Sequence, residues 1–122
     1  MMVKAPDGRD LLVALQKSTI IYAFDPEKKG EIVWQVQLGK GSAGAQWGAA
    51  TDGQYIYASV NDVGGMRRPA ANGIPAGRTL DPAKGGGITA LRIADGSKAW
   101  YVPPQTCTTP GCSPAQSTEP GR

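Results

Sequence analysis

Three observations predict an all-β chain built from repeated antiparallel units. Residues 21–34 and 88–100 follow one plan, a short apolar strand ending in Ala, a turn that closes on Gly, and a second strand that closes on Trp. Apolar runs of strand length alternate with turns rich in glycine and proline across most of the chain. Helical periodicity does not compete with them anywhere. A unit that recurs at a spacing of tens of residues is usually one that cannot bury its apolar faces alone.

The elements follow in order. Residues 11–15 form a nearly unbroken apolar run bounded by Asp7-Gly8 and Lys17-Ser18, and residues 19–24 add β-branched and aromatic side chains, so both read as strands. Residues 31–38 alternate, with Ile32, Trp34, Val36 and Leu38 expected on one side and Val33, Gln35 and Gln37 on the other. A glycine-rich passage, 39–48, leads through Trp47-Gly48 into another strand, and the turn at Asp52-Gly53 opens the strand 55–60. Residues 63–87 hold seven glycines, three prolines and four basic side chains against the single acid Asp81, the composition of a long excursion. A hairpin is expected from 88–93 and 98–102 around Asp95-Gly96. Five of the ten prolines fall within 103–122, where no regular structure is expected. The organisation expected is therefore repeats over 7–102, with a long loop at 63–87 and an irregular tail at 103–122.

Composition excludes several function classes. With no histidine among 122 residues, His-based triads and imidazole zinc sites are ruled out, so catalysis would fall to carboxylates or a cofactor. The net charge of +3 is small, and the basic residues lack the aromatic interleaving of a nucleic-acid surface. No run approaches membrane-spanning length, and residues 1–7 carry no apolar secretion signal. Gly39 to Gly44 matches G-x-G-x-x-G, with Asp62 downstream, but it leads into a strand instead of a helix N-terminus, so a dinucleotide site is not expected. Cys107 and Cys112 enclose Thr-Thr-Pro-Gly, a turn that brings two sulfurs within reach; they read either as a disulfide or as two thiols in the tail.

The repeat has a measurable register. Asp7-Gly8 and the strand after it match Asp52-Gly53 at an offset of 45, and Trp34 matches Trp100 at 66, the long loop accounting for the difference. Successive antiparallel strands with little polar alternation are sheets covered on both faces, which is how β-propeller blades look in sequence.

Ala90-x-x-x-x-Asp95-Gly96-x-x-x-Trp100 resembles the tryptophan-docking motif of quinoprotein alcohol dehydrogenases, eight-bladed propellers that hold pyrroloquinoline quinone; Ala23, Asp25, Gly30 and Trp34 repeat it with one extra turn residue. The resemblance implies that Trp34 and Trp100 are structural, each sandwiched between its own Ala and the turn of the next blade. It also implies, from the order Trp47-Gly48, Asp52-Gly53, Asn61, Arg68-Pro69 and the docking motif, that Trp47 with Gly48 lies against the quinone. Asn61 is implied as a calcium ligand, with Asp62 a second oxygen donor able to take or share that role. Two departures stand out. Arg92 occupies a place where the motif commonly has Asp, so its turn loses a side-chain acceptor, and residues 102–114 contain no Asp to act as the family's base. The second departure, with the Gln46-Trp47-Gly48 segment and the Cys-containing loop, makes the chain most like the polyvinyl-alcohol dehydrogenase branch.

The resemblance covers about two blades, so the ring is not closed and the chain reads as an inactive fragment. The parent is expected in the periplasm, oxidising an alcohol substrate and passing electrons to a cytochrome c, with the rest of the propeller as the fragment's partner. The rival expectation is a non-catalytic propeller scaffold of the outer-membrane assembly type, which has no use for Trp47-Gly48 and Asn61.

Overall fold

Ten short strands and a single turn of 3-10 helix are seen in the computed structural model, which describes residues 1–39, 45, 48–60 and 86–103, with the backbone of 66–68 and 77–79. Strands β1 (Met2–Lys4), β2 (Asp10–Leu15), β3 (Ile20–Asp25) and β4 (Glu31–Gln37) form one four-stranded antiparallel sheet in chain order. Strands β5 (Ala49–Thr51), β6 (Tyr55–Val60), β9 (Gly87–Arg92) and β10 (Lys98–Val102) form the second, ordered β10-β9-β6-β5. Between β6 and β9 the excursion holds a short antiparallel pair, β7 (Met66–Arg68) with β8 (Gly77–Thr79). Neither this pair nor β1 is anticipated from composition, because three-residue strands carry too little pattern to read.

One hydrophobic core lies between the two sheets. Leu11, Val13, Ile21, Ala23 and Trp34 of the first sheet pack with Ile56, Ala58, Leu91 and Ile93 of the second, and Leu11, Ile21, Ala23, Ile56, Ala58 and Leu91 retain no solvent exposure. Among the described residues, every buried side-chain polar atom has a hydrogen-bond partner.

Strand pairing corrects two sequence expectations. In the first sheet Leu12 pairs with Phe24 and Ala14 with Tyr22; in the second Ile56 pairs with Leu91 and Ala58 with Thr89. Leu12 therefore corresponds to Ile56, an offset of 44, whereas aligning the Asp-Gly turns at 45 puts Leu11 opposite Ile56. The cause lies in the turns: Lys4↔Asp10 closes five residues in the first sheet and Thr51↔Ile56 closes four in the second. A one-residue slip exchanges the two faces of a strand.

The second correction concerns β4. Trp34 pairs with Ala23 but Ile32 pairs with Phe24, so Val33 is an extra residue in the ladder and Ile32 turns to the face opposite Trp34, where it is 49% exposed. An equivalent irregularity separates Lys98 from Trp100. A bulge immediately before the Trp in both copies re-aims that side chain.

Candidate functional site

The docking-motif residues stand at one end of the two sheets, and Gly48, Val60, Gly87 and Val102 of the second sheet at the other. At one end stand the hairpin turns β3–β4 and β9–β10, and with them the docking motifs. The indole of Trp34 is 8% exposed and donates from Nε1 to the Ile93 carbonyl of the second sheet at 2.9 Å. Gly96 closes that seat: a Cβ there would lie 2.7 Å from the Trp34 ring. Ala23 pairs with Trp34 across the ladder and has no exposure, so the indole sits between its own Ala and the next sheet's turn. Trp100 pairs with Ala90 in the same way but points to the second sheet's outer face, 44% exposed, beside Tyr57 at 5.7 Å between ring centroids.

The carboxylates at this end hold turns. Asp25, 3% exposed, accepts from the backbone N–H groups of Glu27 and Lys28 to cap the helical turn Pro26–Lys28, and Arg9 Nη1 approaches its other oxygen at 3.6 Å. Arg92, at the matching position, supplies no acceptor. Asp95 takes one N–H, that of Ser97, and Arg92 reaches Ser97 Oγ and the Lys98 carbonyl. Asp52 accepts the N–H groups of Gln54 and Tyr55 and the Tyr57 hydroxyl; these bonds, the phenol's first, lower its carboxyl to about 2 and raise the Tyr57 phenol. Asp7 is lowered by hydrogen bonds from the Arg9 backbone and side chain, and Asp95 by the Ser97 hydroxyl and backbone. Carboxylates so employed are closing turns, and none of them is poised as a base. Among the described residues no three His, Cys, Asp or Glu side chains group to hold a metal.

At the other end of the second sheet, pairing brings four strand termini together. Ala49 lies opposite Ala58, Val60 opposite Gly87, and Val102 opposite Ile88. Gly48 immediately precedes β5; it has φ +82, and among the described residues nothing lies within 4 Å of the place of a Cβ. Trp47 lies one residue before Gly48, and Asn61 one residue after Val60, with Asp62 next. Trp47, Asn61, Asp62, Cys107 and Cys112 lie outside the described residues. What anchors this end is Gly87, where φ is +107 and a Cβ would fall 2.2 Å from the Val102 carbonyl oxygen, and Tyr101, whose hydroxyl donates to the Gly86 carbonyl at 2.6 Å.

The matching end of the first sheet holds a cluster that sequence reasoning misses. Thr19 is fully buried with φ +68, a conformation that is costly for a β-branched residue. Its hydroxyl donates to the Gly39 carbonyl at 3.0 Å, and Gln37 Nε2 donates to the Ser18 and Gly39 carbonyls. The cluster ties the end of β4 to the turn before β3, fixing where the chain leaves toward residues 40–47. A turn at Lys17-Ser18 is legible, but a Thr with positive φ has no sequence signature.

Two named proteins are similar to the chain. It is 36% identical over 101 residues to a polyvinylalcohol dehydrogenase of Pseudomonas sp, and 38% identical over 99 residues to a polyvinylalcohol dehydrogenase of Sphingopyxis sp. (strain 113P3). Each match covers 80% of this chain, and the chain spans 13% of the length of either relative. No family model matches, and neither does any solved structure. No helix among the described residues is long and apolar enough to cross a membrane.

Proposed function

We propose that the chain forms two blades of an eight-bladed propeller in a quinone-dependent alcohol dehydrogenase of the polyvinyl-alcohol type. The observation that carries this reading is the 36–38% identity, over four-fifths of the chain, to two proteins bearing that dehydrogenase name. The seat of Trp34 on the neighbouring sheet's turn supports the blade-to-blade arrangement, since a repeat that buries its Trp on the next unit requires successive units.

The donor chemistry near the second sheet's end suits the cofactor pair. Asn61 and Asp62 would ligate through side-chain oxygens, as a hard divalent cation prefers, and Gly48, next to Trp47 in the sequence, carries no side chain. In this reading Trp47 presents an apolar plane to stack on the quinone, Gly48 admits it closely, and Asn61, alone or with Asp62, ligates calcium. When bound, quinone and calcium supply the electron sink and the Lewis acid for alcohol oxidation. Asp7, Asp25, Asp52 and Asp95 are occupied in turns at the opposite end, and the base that takes the hydroxyl proton is left unassigned. A periplasmic location and a cytochrome c acceptor complete the proposal. The chain by itself is expected to be inactive.

The test uses the longer parent protein. Adding calcium and pyrroloquinoline quinone should produce quinone absorbance and dye-linked alcohol oxidation, and Trp47→Ala should weaken quinone retention without unfolding the protein. A parent that binds no quinone overturns the enzyme reading and favours the scaffold class.

A further inference from the structure

The chain leaves the second sheet after Val60 and re-enters it at Gly87, and these two residues are paired with each other as the last rung between β6 and β9. Asn61 therefore departs from a residue whose place is set by Gly87. The return runs through Gly85-Gly86-Gly87, and Gly86 and Gly87 have φ of +100 and +107. Glycines in tandem keep one conformation only when a group outside them fixes it, because they lack the side chains that narrow backbone choice. Two groups of β10 do so. Val102 closes the space beside Gly87, where a Cβ would fall 2.2 Å from its carbonyl oxygen, and the Tyr101 hydroxyl donates to the Gly86 carbonyl at 2.6 Å. Val60, Gly86 and Gly87 are all buried, so little water is at hand to replace that bond.

We infer, resting on the dehydrogenase reading in which Asn61 ligates calcium, that Tyr101 is a positioning residue for that ligand: its hydroxyl pins the Gly86 carbonyl, keeps the Val60–Gly87 rung closed and so fixes where Asn61 begins. The lever is entirely backbone. It runs from Tyr101 to Gly86, along the chain to Gly87, across the ladder to Val60, and along the chain again to Asn61. A terminal rung has no further rung beyond it and is the first to open in a local fluctuation. Opening at Val60 displaces the residue that follows, and a cation site loses affinity when one of its ligands has to be ordered at the moment of binding. Anchors of metal ligands act as part of the site for this reason, and their loss commonly weakens metal binding by about 10–100-fold. Neither Tyr101 nor Gly86 is required to touch calcium or quinone. The same sheet supplies its own comparison, since a second phenol, that of Tyr57, donates to Asp52 at 2.6 Å at the far end, away from this rung.

Calcium titration of the longer parent protein, stripped of metal and supplied with pyrroloquinoline quinone, tests this through the quinone's absorbance instead of turnover. Tyr101→Phe, which removes a single oxygen, should raise the calcium dissociation constant about 10-fold, and excess calcium should restore the wild-type spectrum. Tyr57→Phe should leave the constant unchanged. Gly87→Ala, which forces the same rung apart from the other side, should weaken calcium in the same sense as Tyr101→Phe. Asn61→Ala should weaken it further, and the double variant Tyr101→Phe with Asn61→Ala should be no weaker than Asn61→Ala alone, because a residue that acts through Asn61 has nothing to add once Asn61 is gone. Thermal melts of the calcium-free protein separate positioning from stability, since a merely structural tyrosine would lower the melt and leave the calcium constant alone. If the parent loads calcium and quinone but Tyr101→Phe binds calcium like the wild type, or the double variant is weaker than Asn61→Ala, the positioning role is overturned and the dehydrogenase reading survives. A wild-type parent that takes up neither group overturns both.

Discussion

Trp34 and Trp100 close the same motif in the same ladder position, yet one is buried and the other nearly half exposed. Both pair with an Ala, both follow a bulge and both end a hairpin. The difference is whether a neighbouring turn is present to receive the indole. A docking tryptophan contributes as much as its neighbour allows, so the motif encodes an interface and not a self-sufficient fold. The turns diverge in the same way: Asp25 caps its turn with two N–H bonds and meets Arg9, while Arg92 has no acceptor to offer and Asp95 holds its turn through a single N–H.

The largest expected separation comes from removing each indole in dilute solution. Trp34→Ala should cost about 3–5 kcal/mol, since it opens a cavity between the sheets and strands the Ile93 carbonyl. Trp100→Ala should cost about 1 kcal/mol or less, chiefly the contact with Tyr57. Urea unfolding midpoints measure both, and equal losses would break the comparison. Next come the seat glycines. Gly96→Ala forces a Cβ into the Trp34 ring at a positive φ and should cost about 3 kcal/mol, whereas Gly30→Ala meets open space and should cost only the backbone strain, about 1 kcal/mol. Thermal melts of the two variants check this.

A smaller effect separates the turns. Asp25→Ala should cost about 1–2 kcal/mol by uncapping two N–H groups, and Asp95→Ala should cost less because one N–H is lost at an exposed site. The smallest is a pH effect. Asp52 is held at about 2, below its unfolded value near ~3.9, so its contribution is fully present above about pH 4 and is lost as pH falls toward about 2. Tyr57→Phe removes the largest cause, and carboxyl chemical shifts followed through acid should show the Asp52 midpoint moving up. An unmoved midpoint would assign the depression to the backbone donors instead.

How much was legible in the sequence differs between these features. Strands β2, β3, β4, β6, β9 and β10 follow from apolar runs and turn residues, and the Ala-to-Trp motif announces the docking end. The face assignments do not follow. Ile32 belongs with Trp34 by simple alternation, but the bulge at Val33 sends it outward, and the Asp-Gly identity at offset 45 hides a ladder that matches at 44. Each error is a single residue, which in a strand of period two is the difference between core and solvent. At the candidate site Trp47, Gly48, Asn61 and Asp62 were singled out by resemblance, while Thr19, Gln37 and the Gly87–Val102 approach were invisible because their roles depend on φ and on contacts across strands.

By itself the sequence determined the class of the fold, the repeat and the residues able to dock, because local propensity and side-chain size are written residue by residue. Tertiary structure alone decided which copy of the motif is satisfied. The sheets pair one Trp with one Gly, and burial belongs to a surface and its partner together, so within these two sheets Trp34 is buried and Trp100 is not, although the sequence writes them alike.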